Sequence, residues 1–212
     1  MSEIKIDGQV IQYMTKKEVN ASGDEHLNAL YDFIEDISNR LQINTPYLAI
    51  AVNIITGSLT DGVTINSGMS FMPEDIPELD NAIIMISPYG LQARYVSGVI
   101  LHEIRHVWQR KYAPDIYGTP ANGLKESLDH PAEIDADAYA IAVIAIETDT
   151  SVEENAALLC EYEYEHHKDA FDQRVLAAKE LIKEMAEPEV ESKGKKESAG
   201  ILKKIVSILK RG

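Results

Sequence analysis

Polar and apolar residues alternate from Ile4 to Ile11 around Asp7-Gly8, a dipeptide suited to the positive φ angles of a tight turn, so the chain is expected to open with a β-hairpin. From Ser22 the period changes. Ser22 and Glu25 have the spacing of a capping box, and Leu27, Leu30, Tyr31, Ile34, Ile37 and Leu41 follow at helical intervals, predicting an amphipathic helix that ends before Pro46. Tyr47 to Thr56 is rich in Ile, Val and Ala and reads as a strand, with Asp61-Gly62 as a turn and Val63 to Ile65 as the returning strand. Ala82 to Ser87, an apolar run between Pro77 and Pro88, is a third strand.

Beyond Pro88 the pattern is helical. Val96, Val99, Ile100, Ile104, Val107 and Trp108 recur along one side of a helix that stops before Pro114. Asp115 to Asp129 reads as a loop. His130-Pro131 opens the next helix, which runs to about Glu147, because proline is favoured in a first helical turn. Ser151 with Glu154 predicts a further cap and a long charged helix reaching toward Glu187. Strands and one helix first, helices afterwards, give an α+β class.

Residues 188–200, PEVESKGKKESAG, read as a flexible charged linker that closes a domain of residues 1–187. In residues 201–212, ILKKIVSILKRG, Ile201, Leu202, Ile205, Val206, Ile208 and Leu209 share one half of a helix, opposite Lys203, Lys204, Ser207, Lys210 and Arg211. This cationic amphipathic segment suits a membrane surface, a partner protein or the acidic body itself. From Pro188 onward there are seven basic and three acidic residues, a net of +4, which leaves −19 of the total −15 on residues 1–187.

The length of 212 residues fits one domain plus an appendage, and 45% hydrophobic with 26% charged residues is ordinary for a globular protein. The acidic body argues against nucleic acid as a partner. Cys160, the single cysteine, excludes an internal disulfide and a cysteine-based zinc knuckle, and it fits a reducing compartment. No apolar h-region or long uncharged run is present, so the expected location is the cytoplasm, with the cationic segment as a peripheral membrane contact.

The chemistry concentrates in His102-Glu103-Ile104-Arg105-His106. On a helix, residues i and i+4 project from one face, so two imidazoles can hold one zinc ion while the Glu beside them takes a proton from an activated water. A catalytic zinc usually has three protein ligands. Glu133, in the first turns of the next helix, is the third candidate, and Asp137, one turn further, can accept the second ring N–H of a ligating histidine. His166-His167 is read as a solvated pair, since adjacent residues point in different directions on a helix, Cys160 as a packed thiol, and Trp108 as core.

H-E-x-x-H on one helix followed by E-x-x-x-D on a second resembles the gluzincin group of zinc metallopeptidases. Glu133 to Ala140 also looks like the corresponding segment of small ImmA/IrrE-type peptidases; together the likeness covers about Tyr95 to Ala145. The resemblance implies a zincin-like fold, one Zn²⁺ per chain on His102, His106 and Glu133, Glu103 as general base, Asp137 behind a ligand histidine, and a peptide or protein substrate. It also implies an edge strand above the site, for which Ala82 to Ser87 is the match. Tyr112, Tyr117 and His130 are the candidates for stabilising an oxyanion. Arg105 stands where such motifs carry an uncharged residue and is expected to point away from the metal, toward solvent or an acidic neighbour. The alternative class is a zincin-derived binding or regulatory module that has lost catalysis.

Overall fold

Ser2–Ile6 (β1) and Gln9–Met14 (β2) pair antiparallel, with Ile4 opposite Ile11 and Ile6 opposite Gln9, the register of a two-residue hairpin. The computed structural model describes residues 1–6, 9–50, 55–59, 62–65, 68–74, 76–87, 96–118 and 128–186. Asp7-Gly8, Asp61, the linker 188–200 and the cationic segment 201–212 lie outside the described residues.

Lys16–Ser22 (α1) is a helix that hydrophobic spacing does not announce, because Val19 is its only buried residue. Its capping box is Thr15 with Glu18. Ser22, expected to start a helix, instead ends this one by donating to the Val19 carbonyl. The amphipathic helix Glu25–Arg40 (α2) takes Asp24 as its cap, which accepts from the backbone of His26 and Leu27.

Tyr47–Ile50 (β3) runs beside β2, and Ile55–Leu59 (β4) pairs with Gly62–Ile65 (β5) as a separate two-stranded unit. Gly68–Phe71 (β6) and Ile83–Ile86 (β7) complete a five-stranded sheet ordered β1-β2-β3-β7-β6, with β3 and β7 parallel and the other pairs antiparallel. This overturns the expectation for Ala82 to Ser87. Its strand, β7, is interior, paired on both sides and buried at all four positions, which is why its sequence is a continuous apolar run. The edge is β6.

Alternation along these strands divides two apolar layers. Leu48, Ile84 and Ile86 face the helices, while Ala49, Ile83 and Met85 face Ile4, Leu79 and the remaining apolar cover on the other side. Against the helical side pack α2, Val96–Tyr112 (α3) and Pro131–Thr148 (helix α5). Between the last two, Pro114–Tyr117 forms one helical turn (α4) where a loop was expected, with proline at its start.

Helix α5 is apolar nearly all round because it is central. Tyr139, Ala140 and Val143 join the sheet-side core, and Ala138, Ile141, Ala142 and Ala145 face a second layer. That layer is not the single long helix expected from Ser151. Ser151 does cap a helix, Val152–Leu159 (α6), but the backbone leaves helical geometry at Cys160 and again at His167, giving Glu161–His166 (α7) and Lys168–Ala186 (α8). The breaks let Val152, Ala156, Cys160, Phe171 and Ala178 all reach the same face of α5. Cys160 is buried there, as expected of a packed thiol. Among the described residues no helix is long and apolar enough to cross a membrane.

Candidate metal centre

Helix α3 stands His102 and His106 one turn apart on the face turned to the first turn of α5. Their Nε2 atoms are 2.9 Å apart and their rings nearly perpendicular. Glu133 enters from α5, with Oε2 at 3.3 Å from His102 Nε2 and Oε1 at 3.5 Å from His106 Nε2. His130 caps α5 by accepting from the Ala132 backbone, which fixes where that first turn begins and so where Glu133 points.

The partners of the outer ring nitrogens decide what the inner ones can do. His102 Nδ1 lies 2.8 Å from Asp137 Oδ1, and His106 Nδ1 lies 2.8 Å from Gln109 Oε1. Both partners accept, so each Nδ1 is the nitrogen that carries a proton, and Nε2 is the one each ring can offer as a lone pair to a metal. Two imidazole nitrogens and a carboxylate facing one another suit a cation between them, a proton or a metal ion. Tetrahedral zinc at bond lengths near 2.0–2.1 Å sets donors about 3.3 Å apart. Donor separations of 2.9, 3.3 and 3.5 Å bracket that spacing, and His102, His106 and Glu133 are close enough together to hold a metal ion.

Without a cation other than the proton, the electrostatics are strongly biased. Burial opposes charge on His102, yet Asp137 and Glu133 outweigh it and raise its pKa well above 6.5. Burial would raise Glu133, but its contacts with the two imidazoles hold it far below the usual carboxylate range. Asp137, also desolvated, is kept low by His102 and by Arg174. Glu103 differs in sign. It is 6% exposed, and burial raises its pKa against the opposing pull of both histidines and a hydrogen bond with Ser70. A carboxyl of raised pKa beside a cation site is suited to accepting and returning a proton.

The edge strand meets the site here. Gly68 and Ser70 turn toward α3, and a Cβ built on Gly68 would stand 2.6 Å from Val99 Cγ1 and 2.9 Å from Glu103 Oε1. Only glycine lets β6 cross α3 this closely.

Of the three tyrosine and histidine candidates, Tyr117 makes a ring contact with a member of the cluster, edge-on to His106 at 6.1 Å between centroids. Tyr112 is 47% exposed, and its hydroxyl donates to the Gln42 carbonyl at 2.7 Å. His130 is engaged as the cap of α5. Arg105 turns to an acidic neighbour, Asp135, by two hydrogen bonds of 2.7 and 3.0 Å. Trp108 packs at the edge of the core, 3.7 Å beneath the Arg105 guanidinium. His166 is exposed and His167 half-buried, and neither belongs to a metal-competent group among the described residues.

Four contributors escape the sequence reading. Gln109 sits one turn beyond His106, so helical spacing could have found it. Asp135 lies between Glu133 and Asp137 and reads as another acid of a helix start. Ser70 and Arg174 carry no local signal, since strand pairing and helix packing bring them in.

No family model matches the chain, nor does any curated protein or solved structure.

Proposed function

We propose that the chain is a zinc-dependent peptidase of gluzincin type, with a zincin-like arrangement of edge strand, ligand helix and glutamate helix. The observation that carries this reading is the convergence of the two Nε2 atoms, each with its ring's Nδ1 facing an acceptor, and the Glu133 carboxylate beside a buried Glu103. His102, His106 and Glu133 would hold the ion. Bound there, zinc supplies a Lewis acid that lowers the pKa of water from 15.7 toward about 7 and polarises a carbonyl.

The chain's own residues do the rest. Glu103 accepts the proton of the attacking water at its carboxylate and delivers it to the nitrogen of the leaving amine as the peptide bond breaks. Asp137 and Gln109 keep both ligand rings in the tautomer that leaves Nε2 unprotonated. β6, the last strand of its sheet, offers an edge along which an extended peptide can add by backbone hydrogen bonds, close to Glu103.

Two measurements test the reading separately. Protein purified without a histidine tag should contain about one zinc per chain and lose it on His106→Ala, as a three-ligand site requires. Glu103→Gln should keep the metal and abolish cleavage of a peptide library that the wild type cuts. A wild type that binds zinc but cuts nothing would favour the binding-module class instead.

A further inference from the structure

The amide of Gln109 has two ends, and only one of them suits a metal ligand. Its Oε1 faces His106 Nδ1 at 2.8 Å, while its Nε2 donates to the Ala132 carbonyl at 2.9 Å and to Asp135 Oδ2 at 2.7 Å. Those last two partners can only accept. With the amide ends exchanged, an oxygen would face two oxygens, so Oε1 must face the imidazole. An acceptor at Nδ1 requires the ring proton there, and Nε2 keeps its lone pair.

Asp135 is held in turn. Arg105 grips it with Nε to Oδ2 at 2.7 Å and Nη2 to Oδ1 at 3.0 Å, a planar two-point contact. The guanidinium is itself fixed between aromatic rings, 3.7 Å from the centroid of Trp108 and 5.0 Å from that of Tyr139. Gln109 is fully buried and Arg105 nearly so, which shields the relay from competing water.

We infer that Arg105, Asp135 and Gln109 form a tautomer lock on His106: positioning residues whose joint effect is to keep His106 Nε2 open to a divalent cation. This gives the charged residue inside H-E-x-x-H a role. Arg105 points away from the cluster and acts on it through two intermediaries. The inference rests on the metal reading proposed above, but the tautomer itself is a property of the chain.

Proton–nitrogen correlation NMR on histidine-labelled, metal-free protein reads which ring nitrogen of His106 is protonated, and chelator competition with zinc alone reads affinity. The wild type is expected to show the proton on Nδ1. Gln109→Met removes the acceptor, and Asp135→Ala removes one of the two acceptors that fix which way the Gln109 amide points. Each should populate the form protonated on Nε2 and weaken zinc by about 10- to 100-fold, the usual effect of losing an outer partner of a ligand. Melting of the metal-free variants verifies that they fold. Phe171→Leu, a packing change in the α5–α8 layer, should leave tautomer and affinity unmoved; a loss of zinc affinity there equal to that of Gln109→Met would mean a merely structural role and overturn the proposal. A wild-type His106 protonated on Nε2 overturns it directly. A wild type protonated on Nδ1 that takes up no zinc supports the lock and instead removes the metal reading.

Discussion

Arg174 donates from Nε to Asp137 Oδ2 at 2.7 Å, and the other oxygen of Asp137 receives His102 Nδ1 at 2.8 Å. Arg174 belongs to α8, is 1% exposed, and also donates to the carbonyls of Leu128 and Ala170. One buried guanidinium thus ties the last helix to the carboxylate that orients a candidate ligand and to the chain segment just ahead of α5.

Replacing it should therefore have two effects. Arg174→Met takes from the buried Asp137 one of its two cationic partners and leaves it His102, a loss expected to cost about 3 kcal/mol, the low end for breaking a buried pair. It should also loosen zinc about 10- to 100-fold by freeing the His102 ring. Urea denaturation of the metal-free chain reads the first and chelator competition the second. Arg174→Lys should not restore affinity, because an ammonium lacks the planar fork that serves Asp137 and two carbonyls together. Restoration by lysine would show that only charge matters.

How far the sequence reveals this site follows from which contacts are local. His102, Glu103 and His106 lie within one helical turn and a little more, and Glu133 and Asp137 share the face of a helix whose start His130-Pro131 declares, so all five are readable from spacing. Arg174 lies 37 residues beyond Asp137, on a helix whose charged pattern looks like a solvated surface. β6 is hidden for a different reason: GMSF is four residues long, and its two helix-facing positions are Gly and Ser. The interior place of β7 is hinted at by its continuous apolar run, but its order between β3 and β6 rests on pairings across intervening chain that local pattern does not specify.

The metal-free chain and the zinc complex should answer pH differently. His102 has a raised pKa, so the folded state holds its proton more tightly than the unfolded chain; that stabilisation is complete below pH 6.5 and fades as pH rises through the folded value. Glu133 is depressed, so its stabilisation is complete above pH 4.5 and is lost as pH falls through its folded value. Metal-free protein should be most stable between pH 4.5 and 6.5 in urea titrations. Zinc must displace the His102 proton, so below that group's folded pKa its affinity should rise about tenfold per pH unit. An affinity that stays flat over this range would remove His102 from the ligand set.

Two glycines test whether the β6 crossing is functional or only compact. In Gly68→Ala the new methyl meets Val99 Cγ1 at 2.6 Å and the Glu103 carboxylate at 2.9 Å, while in Gly98→Ala it meets Leu159 Cδ2. Overpacking should destabilise both by about 1–3 kcal/mol. Only Gly68→Ala should also depress peptide cleavage at temperatures where the protein remains folded, since it displaces Glu103 or lifts the strand. Equal activity in the two variants would mean that β6 serves packing alone.

Tyr117 and Tyr112 lie five residues apart, and they should part company in kinetics. The Tyr117 ring stands edge-on to His106, with the Arg110 guanidinium 5.1 Å from its centroid, whereas the Tyr112 hydroxyl is engaged by the Gln42 carbonyl. A donor aimed at a developing oxyanion is worth about 10²- to 10³-fold in kcat, and its removal spares the metal. Tyr117→Phe should therefore lower kcat on that scale while zinc content and KM stay near the wild type. Tyr112→Phe loses one partly solvated hydrogen bond, about 0.5–1.5 kcal/mol of stability at most, and should keep full activity. If Tyr117→Phe cleaves at the wild-type rate, the oxyanion donor lies elsewhere, and His130→Gln becomes the next variant to assay, because its ring already borders the Glu133 turn as the cap of α5.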